Sequence, residues 1–289
     1  MTDIACVVEA RDTLGESCLW CPTTKKVWWL DIQKPCLKSF DPATGAHKVH
    51  PLPGRTCGNA ALRKSGGFVL AMDNGLHGYD PATGALEFLL HAEPNQPGNR
   101  YNDGRCDRRG RLWIGTMDRP IRKSSGSFYR IGADRAVAKL FDGITVPNST
   151  AFSPDDLTMY FADTPRHTIW AFDFDLDAGE ISNRRVFADL GARKGLPDGS
   201  CVDAQGFLWN AEYAGGRVVR YAPDGRVDRT VELPVTNATC CCFGGNDLGT
   251  LYVTSATQGL SPDRLDPYDG GLLAMDVGVR GLPESAFAG

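Results

Sequence analysis

The sequence predicts an all-β protein, a six-bladed β-propeller whose ring is closed by the N-terminal strand joining the last blade. Two observations point there. An aromatic-aliphatic strand phrase recurs six times, and nothing in the chain reads as a long amphipathic helix. The copies are Val27–Ile32, Gly67–Met72, Arg111–Thr116, Thr158–Asp163, Phe207–Glu212 and Thr250–Ser255. With Trp29, Val69, Trp113, Tyr160, Trp209 and Tyr252 as markers, the steps are 40, 44, 47, 49 and 43 residues. That period, with several short strands in each unit, is a propeller blade's.

Each module repeats one order of elements. A turn rich in Gly, Asp or Pro leads into the marker strand. A second strand follows, centred for example on Phe40, Tyr79, Tyr129 or Trp170. Turn signals come next: Asp41-Pro42-Ala43-Thr44-Gly45 and Asp80-Pro81-Ala82-Thr83-Gly84 are near copies. Asp-Pro supplies a fixed φ and Gly the positive φ that tight hairpins need. Outer strands such as Leu86–Leu89 and Arg229–Leu233 complete the unit. The last module runs out after Met275-Asp276-Val277, whereas Ile4–Val8 precedes the first marker without a blade of its own. Adding that segment to the sixth blade removes an open sheet edge. The even repeat leaves no internal boundary, so residues 1–289 are expected to form a single domain.

Composition excludes several function classes. A net charge of −4 gives no basic footprint for nucleic acid. No apolar run approaches a membrane span, and Met1-Thr2-Asp3-Ile4 begins acidic rather than as a signal peptide, so a cytoplasmic location without a membrane partner is expected. Ten cysteines invite a disulfide or zinc reading. Cys18-Leu19-Trp20-Cys21 has no second pair at zinc-ribbon distance, and Cys240-Cys241-Cys242 alternates faces along a strand. Free, buried thiols are expected.

Polar residues break the pattern in the segments ahead of the marker strands, read here as loops that line the axial channel. Glu16, Asn148 and Asp198 precede Trp29, Tyr160 and Trp209 by 13, 12 and 11 residues. Each alone is ordinary turn chemistry. The shared offset places them at equivalent radius in three blades, where two carboxylates and an amide would suit a divalent cation with water completing its sphere. Asn99–Asp107 enters blade three with two amides, carboxylates and a guanidinium; Arg100 could hold a carbonyl or carboxylate and Asn102 a hydroxyl. Asp107 and Asp203 fall in Asp-x-x-Gly turns and read as structural.

These phrases carry a resemblance. Leu14-Gly15-Glu16 with Trp20, Asn99–Gly104, Gly110–Met117, Pro147-Asn148-Ser149, Pro197-Asp198-Gly199 and Cys242–Gly245, in that order, resemble the SMP-30/gluconolactonase (regucalcin-like) family. The resemblance spans residues 14 to 245 and implies a six-bladed propeller that hydrolyses sugar lactones with one divalent metal ion. By it, Glu16, Asn148 and Asp198 are metal ligands, and Arg100 and Asn102 bind substrate. The ion's identity stays open among calcium, zinc, manganese, magnesium and iron(II). Two departures are visible: Ser17-Cys18 follows the glutamate where the family often has Gly-Pro, and Ser149 follows Asn148 where Gly is common. A third is the basic segment Ile121-Arg122-Lys123, where some relatives carry an acid that touches the sugar; Arg122 is therefore a further substrate-binding candidate, suited to a lactone with an anionic substituent. The expected reaction opens an aldonolactone to its aldonic acid, with Asp198 as general base. Rival readings are a non-catalytic calcium-binding or regulatory propeller, and an esterase or phosphotriesterase on the same scaffold. The expected partner is a small sugar lactone, and the expected state a monomer or weak homo-oligomer.

Overall fold

The computed structural model describes residues 3–289, so the start of the acidic N-terminal segment, Met1-Thr2, lies outside it. Six four-stranded antiparallel sheets form a ring around one axis. In each sheet the chain starts at the axis and works outward through hairpins, and the burial pattern shows it. The first strands, such as Cys57–Leu62 and Asn237–Gly244, are buried throughout, whereas fourth strands such as Ala46–Pro51 are largely exposed. Among the described residues the helical content is two three-residue 3-10 turns, Thr164–Arg166 and Pro262–Arg264.

The expected closure is present. Ile4–Val8 pairs antiparallel with Leu272–Asp276, Ile4 opposite Met275 and Cys6 opposite Leu273, as the outer strand of blade six. The N-terminal strand thereby completes the four-stranded sheet of blade six.

One expectation is corrected. The marker strands are the second strands of their blades, and the segments before them are the first strands, not loops. Gly15–Cys21, Asn99–Cys106, Pro147–Phe152 and Leu196–Val202 are all extended and paired. Neighbouring blades cover both faces of these strands, so they need no polar-apolar alternation, and their small polar residues imitate loop composition.

The marker positions are the packing centres. Trp29, Trp113 and Trp209 are fully buried, and each indole N–H has a carboxylate partner. Trp113 donates to Asp107 at 2.8 Å and Trp209 to Asp203 at 2.9 Å. Trp29 donates to Asp12 at 2.8 Å. The same carboxylates take charge from Arg111, Arg220 and Lys38 respectively, so these aspartates clasp the core. All ten cysteines are free, and all but Cys6 are buried.

After blade six the tail crosses the far mouth of the channel. Gly281 N–H bonds the Leu248 carbonyl, Phe287 N–H the Leu62 carbonyl and Ala288 N–H the Gly110 carbonyl, so the segment ties blade six to blades two and three. Its Glu284 meets Arg105, on the innermost strand of blade three, at 2.8 Å. A cavity of about 50 Å³ lies beneath, lined by Arg105, Cys201, Cys242, Leu282 and Glu284.

Candidate active site

Every innermost strand breaks register with its neighbour near its N-terminal end. The breaks fall between Glu16 and Leu19, Cys57 and Asn59, Tyr101 and Gly104, Asn148 and Ala151, Pro197 and Ser200, and Ala238 and Cys241. A β-bulge inserts a residue and re-aims the side chains beside it. Repeated at one level in six blades, it turns Glu16, Asn102, Asn148 and Asp198 towards the axis. Two bulges place a non-glycine residue in the left-handed region, Ser17 at φ +56° and Ser149 at φ +60°. That conformation costs about 1 kcal/mol for an L-residue, and both side chains offset it across blade boundaries. Ser17 Oγ accepts the Ala60 N–H at 2.9 Å, and Ser149 Oγ donates to the Asp198 carbonyl at 2.7 Å.

Glu16, Asp103 and Asp198 form no ion pair among the described residues, although the charges of Arg100 and Arg105 reach Glu16 and Asp103. Burial pushes the Glu16 carboxyl up to about 8, with repulsion from Asp103 adding to it. Asp198 is raised well above the ordinary carboxylate range, again chiefly by burial and then by the charges of Glu16 and Asp103. The Glu16 and Asp198 carboxyls are within hydrogen-bonding reach of each other. Asp103, one residue beyond Asn102, is itself raised by burial while accepting the Thr150 N–H at 2.7 Å. The cation facing this group is Arg100, whose own pKa burial lowers to about 10.

A relay of oriented amides connects Arg100 to the site. Arg100 Nη1 donates to Asn102 Oδ1 at 2.6 Å, which fixes the Asn102 amide nitrogen on the other side. That nitrogen donates to Asn148 Oδ1 at 2.9 Å and to the Pro147 carbonyl at 2.8 Å. Asn148 Nδ2 donates in turn to Thr164 Oγ1 at 2.7 Å. The Thr164 hydroxyl gives its own proton to the Pro197 carbonyl at 2.8 Å, so towards Asn148 it can only accept. The chain of donors therefore holds the Asn148 oxygen, not its nitrogen, on the side of Asn102.

The structure thus brings Glu16, Asn148, Asp198, Arg100 and Asn102 into one group. Arg122 stands apart: its side chain is exposed and makes no hydrogen bond or ion pair among the described residues, and its backbone N–H bonds Asp118 at 2.7 Å. The guanidinium whose charge reaches Arg100 is Arg119's. Sequence reasoning passed over Arg119, Asp103 and Thr164. Register offers a signal for the first, because Arg119 lies two residues beyond Met117, the partner of Arg100.

The donor set fits a hard divalent cation. Two neighbouring carboxyls with no ion pair among the described residues, plus an amide oxygen held by its neighbours, match oxygen-ligand chemistry. Among the described residues no cluster of three or more His, Cys, Asp or Glu side chains is arranged for a metal, so a third protein donor would have to be an amide such as that of Asn148.

The model of the SMP-30/gluconolactonase/LRE-like region matches residues 14–257. The chain belongs to the SMP-30/gluconolactonase/LRE-like family. It is 39% identical to a regucalcin of Xenopus laevis, covering 99% of this chain and 98% of the relative. It is 35% identical to a 6-deoxy-6-sulfogluconolactonase of Pseudomonas putida, covering 99% of each. A solved structure of a calcium-binding regucalcin from Agrobacterium tumefaciens superposes with a TM-score of 0.95 at 36% identity, over 99% of this chain and 97% of that one. Within this SMP-30/gluconolactonase-like ring, the matched region holds every residue of the axial group, while the tail with Glu284 lies beyond it.

Proposed function

We propose that this protein is a metal-dependent sugar lactonase that opens an aldonolactone to the aldonic acid, in cytoplasmic carbohydrate catabolism. Glu16, Asn148 and Asp198 would hold the ion, and Arg100 and Asn102 would contact the sugar, with Arg122 lending positive potential from the neighbouring loop. The observation that carries the reading is the close approach of the Glu16 and Asp198 carboxyls, neither ion-paired among the described residues, beside the oriented Asn148. The lactonase among its relatives supports the substrate class, and the calcium-binding relative supports a divalent ion without selecting calcium over magnesium, manganese, zinc or iron(II).

A bound divalent ion supplies Lewis-acid polarisation of the ester carbonyl and acidifies water. The chain's own residues do the rest. Asp198, raised in pKa and held by Ser149 at its carbonyl, takes the proton of the attacking water and later returns it to the departing ring oxygen. Arg100 holds the substrate with a buried guanidinium whose Nε has no partner among the described residues. Water adds across the acyl C–O bond, so ring opening yields one carboxylic acid and one hydroxyl.

The test is acid release from a panel of neutral sugar lactones, with protein stripped by chelator and reloaded one ion at a time. Turnover that appears only with metal is the expected result. No acceleration over spontaneous hydrolysis with any ion would overturn the reading in favour of an ion-binding propeller without catalysis.

A further inference from the structure

The SMP-30/gluconolactonase fold leaves a half-buried charge at the rim of the channel without a counter-charge among the described residues, and it belongs to Arg119. In the hairpin between the first two strands of blade three, Arg100 lies directly opposite Met117. Cross-strand partners share a face of the sheet, and so do residues two apart on one strand. Arg119 therefore stands on the same face as Arg100 and diagonal to it, about 7–8 Å away backbone to backbone. Its N–H bond to the Gly98 carbonyl, at 3.1 Å, extends the pairing by one residue and holds it there. Its side chain is half-buried, yet among the described residues it makes no hydrogen bond and no ion pair.

The carboxylates nearby are already engaged. Asp118 accepts the backbone N–H groups of Arg122 and Lys123, at 2.7 and 3.2 Å. Glu93 accepts from Asn99 and from the Tyr129 hydroxyl, at 2.8 and 2.9 Å. Glu16 and Asp198 face Arg100, but a bound cation would claim both. Arg100, buried and with its Nε unpartnered, would then share the face with Arg119 and no anion between them. Burial is what chiefly lowers the Arg100 pKa, and repulsion from Arg119 adds to it. Two guanidiniums placed this way are costly unless a ligand supplies the negative charge, and their planar forks suit a carboxylate, sulfonate or phosphate oxygen pair.

We propose that Arg119, with Arg100, forms an anion subsite, so that the preferred substrate is a sugar lactone carrying a second, anionic group away from the reacting ester. This rests on the lactonase reading above and narrows its substrate class.

The experiment compares kcat/KM for glucono-1,5-lactone with that for the same ring bearing a 6-phosphate, and with a glucarolactone bearing a carboxylate. Wild type, Arg119→Glu and Arg119→Lys are each loaded with the working ion. We expect the wild type to favour an anionic lactone by at least about 10-fold, a preference that shrinks as salt is raised. Arg119→Glu should cut the anionic-to-neutral ratio about 100-fold, and Arg119→Lys, which keeps the charge without the fork, should sit between. A wild type that favours the neutral lactone, or a ratio that Arg119→Glu leaves unchanged, overturns the subsite while the lactonase reading stands. If no lactone is opened, the lactonase reading fails by itself. Calorimetry with glucarate against gluconate then decides the subsite: tighter dianion binding lost in Arg119→Glu sustains it, and equal binding overturns it.

Discussion

The two ends of the axial channel hold the same kind of residue in opposite electrostatic states. At the tail-covered end Glu284 is half-buried, and its loss of solvent raises its pKa, but Arg105 lies 2.8 Å away and opposes the shift. Arg105 spends a further donor on the Ser200 carbonyl at 3.1 Å. At the other end burial raises the pKa values of Glu16, Asp103 and Asp198; the charge of Asp103 adds to the rise at Glu16, and those of Glu16 and Asp103 to the rise at Asp198, with Arg100 as the facing cation. Pairing makes a buried carboxylate structural; leaving several together without cations makes a place where a cation is stabilised on arrival. Burial alone does not separate the two cases, because Glu16 and Asp103 are half-buried and so is Glu284. The partner does.

The largest effect should come from removing one charge at the starved end. Asp198→Asn is expected to lower lactone turnover by about 10³-fold or more through loss of the base, with circular dichroism unchanged. It should also raise the Tm of metal-free protein, because it relieves repulsion with Glu16 and Asp103. A metal-free variant that melts lower than wild type would contradict the account of that end.

Removing one charge at the paired end should do the reverse. Glu284→Ala strands Arg105 and is expected to cost about 3 kcal/mol of stability, measured by urea unfolding, with kcat for the lactone much less affected than by Asp198→Asn. If Glu284→Ala costs nothing, the tail does not clamp the channel, and the contrast between the ends loses one side.

The same contrast explains what was legible in the sequence. The marker strands stood out because a fully buried second strand demands large side chains, and Trp29, Trp113 and Trp209 recur there. The closure by Ile4–Val8 followed from counting strands. The innermost strands were hidden: both faces are buried, the residues are small and polar, and a bulge interrupts the period of two. Yet the bulges made the site readable. They sit at one level in every blade, so Glu16, Asn148 and Asp198 keep nearly equal offsets from their marker strands, offsets that measure the same hairpin three times. Asn102 lies 11 residues before Trp113 and belongs to the same set. Thr164 gave no such signal, since its place beside Asn148 depends on the Pro197 carbonyl of the next blade, which no local pattern encodes. Arg119 was passed over for its more conspicuous neighbours Arg122 and Lys123, because charge runs draw notice and strand register does not.

A smaller effect is carried by pH. Folded and metal-free, Glu16 keeps its proton to about pH 8, whereas unfolded it loses it near the ordinary value of 4.5. Folding thus takes up protons between those values, so the metal-free protein is most stable at the acid end of that window and loses this contribution as pH rises through it. Cation binding must expel the same protons, so affinity should climb with pH by up to about 10-fold per unit for each proton released. Thermal melts with and without the working ion should show a larger stabilisation by metal at pH 8 than at pH 5.5. Equal increments would mean that the carboxylates are already ionised in the metal-free protein.

The finest test of the contrast leaves every charge in place. Thr164→Val removes only the hydroxyl that accepts from Asn148 Nδ2 and donates to the Pro197 carbonyl. Without it the Asn148 amide is free to flip and present nitrogen where oxygen is needed. Groups that orient a metal ligand typically contribute 10- to 100-fold in affinity, and here about 10-fold is expected, since the Asn102 contact remains to favour the right orientation. Calorimetric titration of the working ion should show this loss, while the metal-free Tm falls by only a few degrees for one buried hydrogen bond. Thr164→Ser, which restores the hydroxyl, should recover most of the affinity. If Thr164→Val lowers stability but leaves ion affinity alone, the threonine merely ties blade four to blade five, and the orientation of Asn148 is set by Asn102 and the bulge.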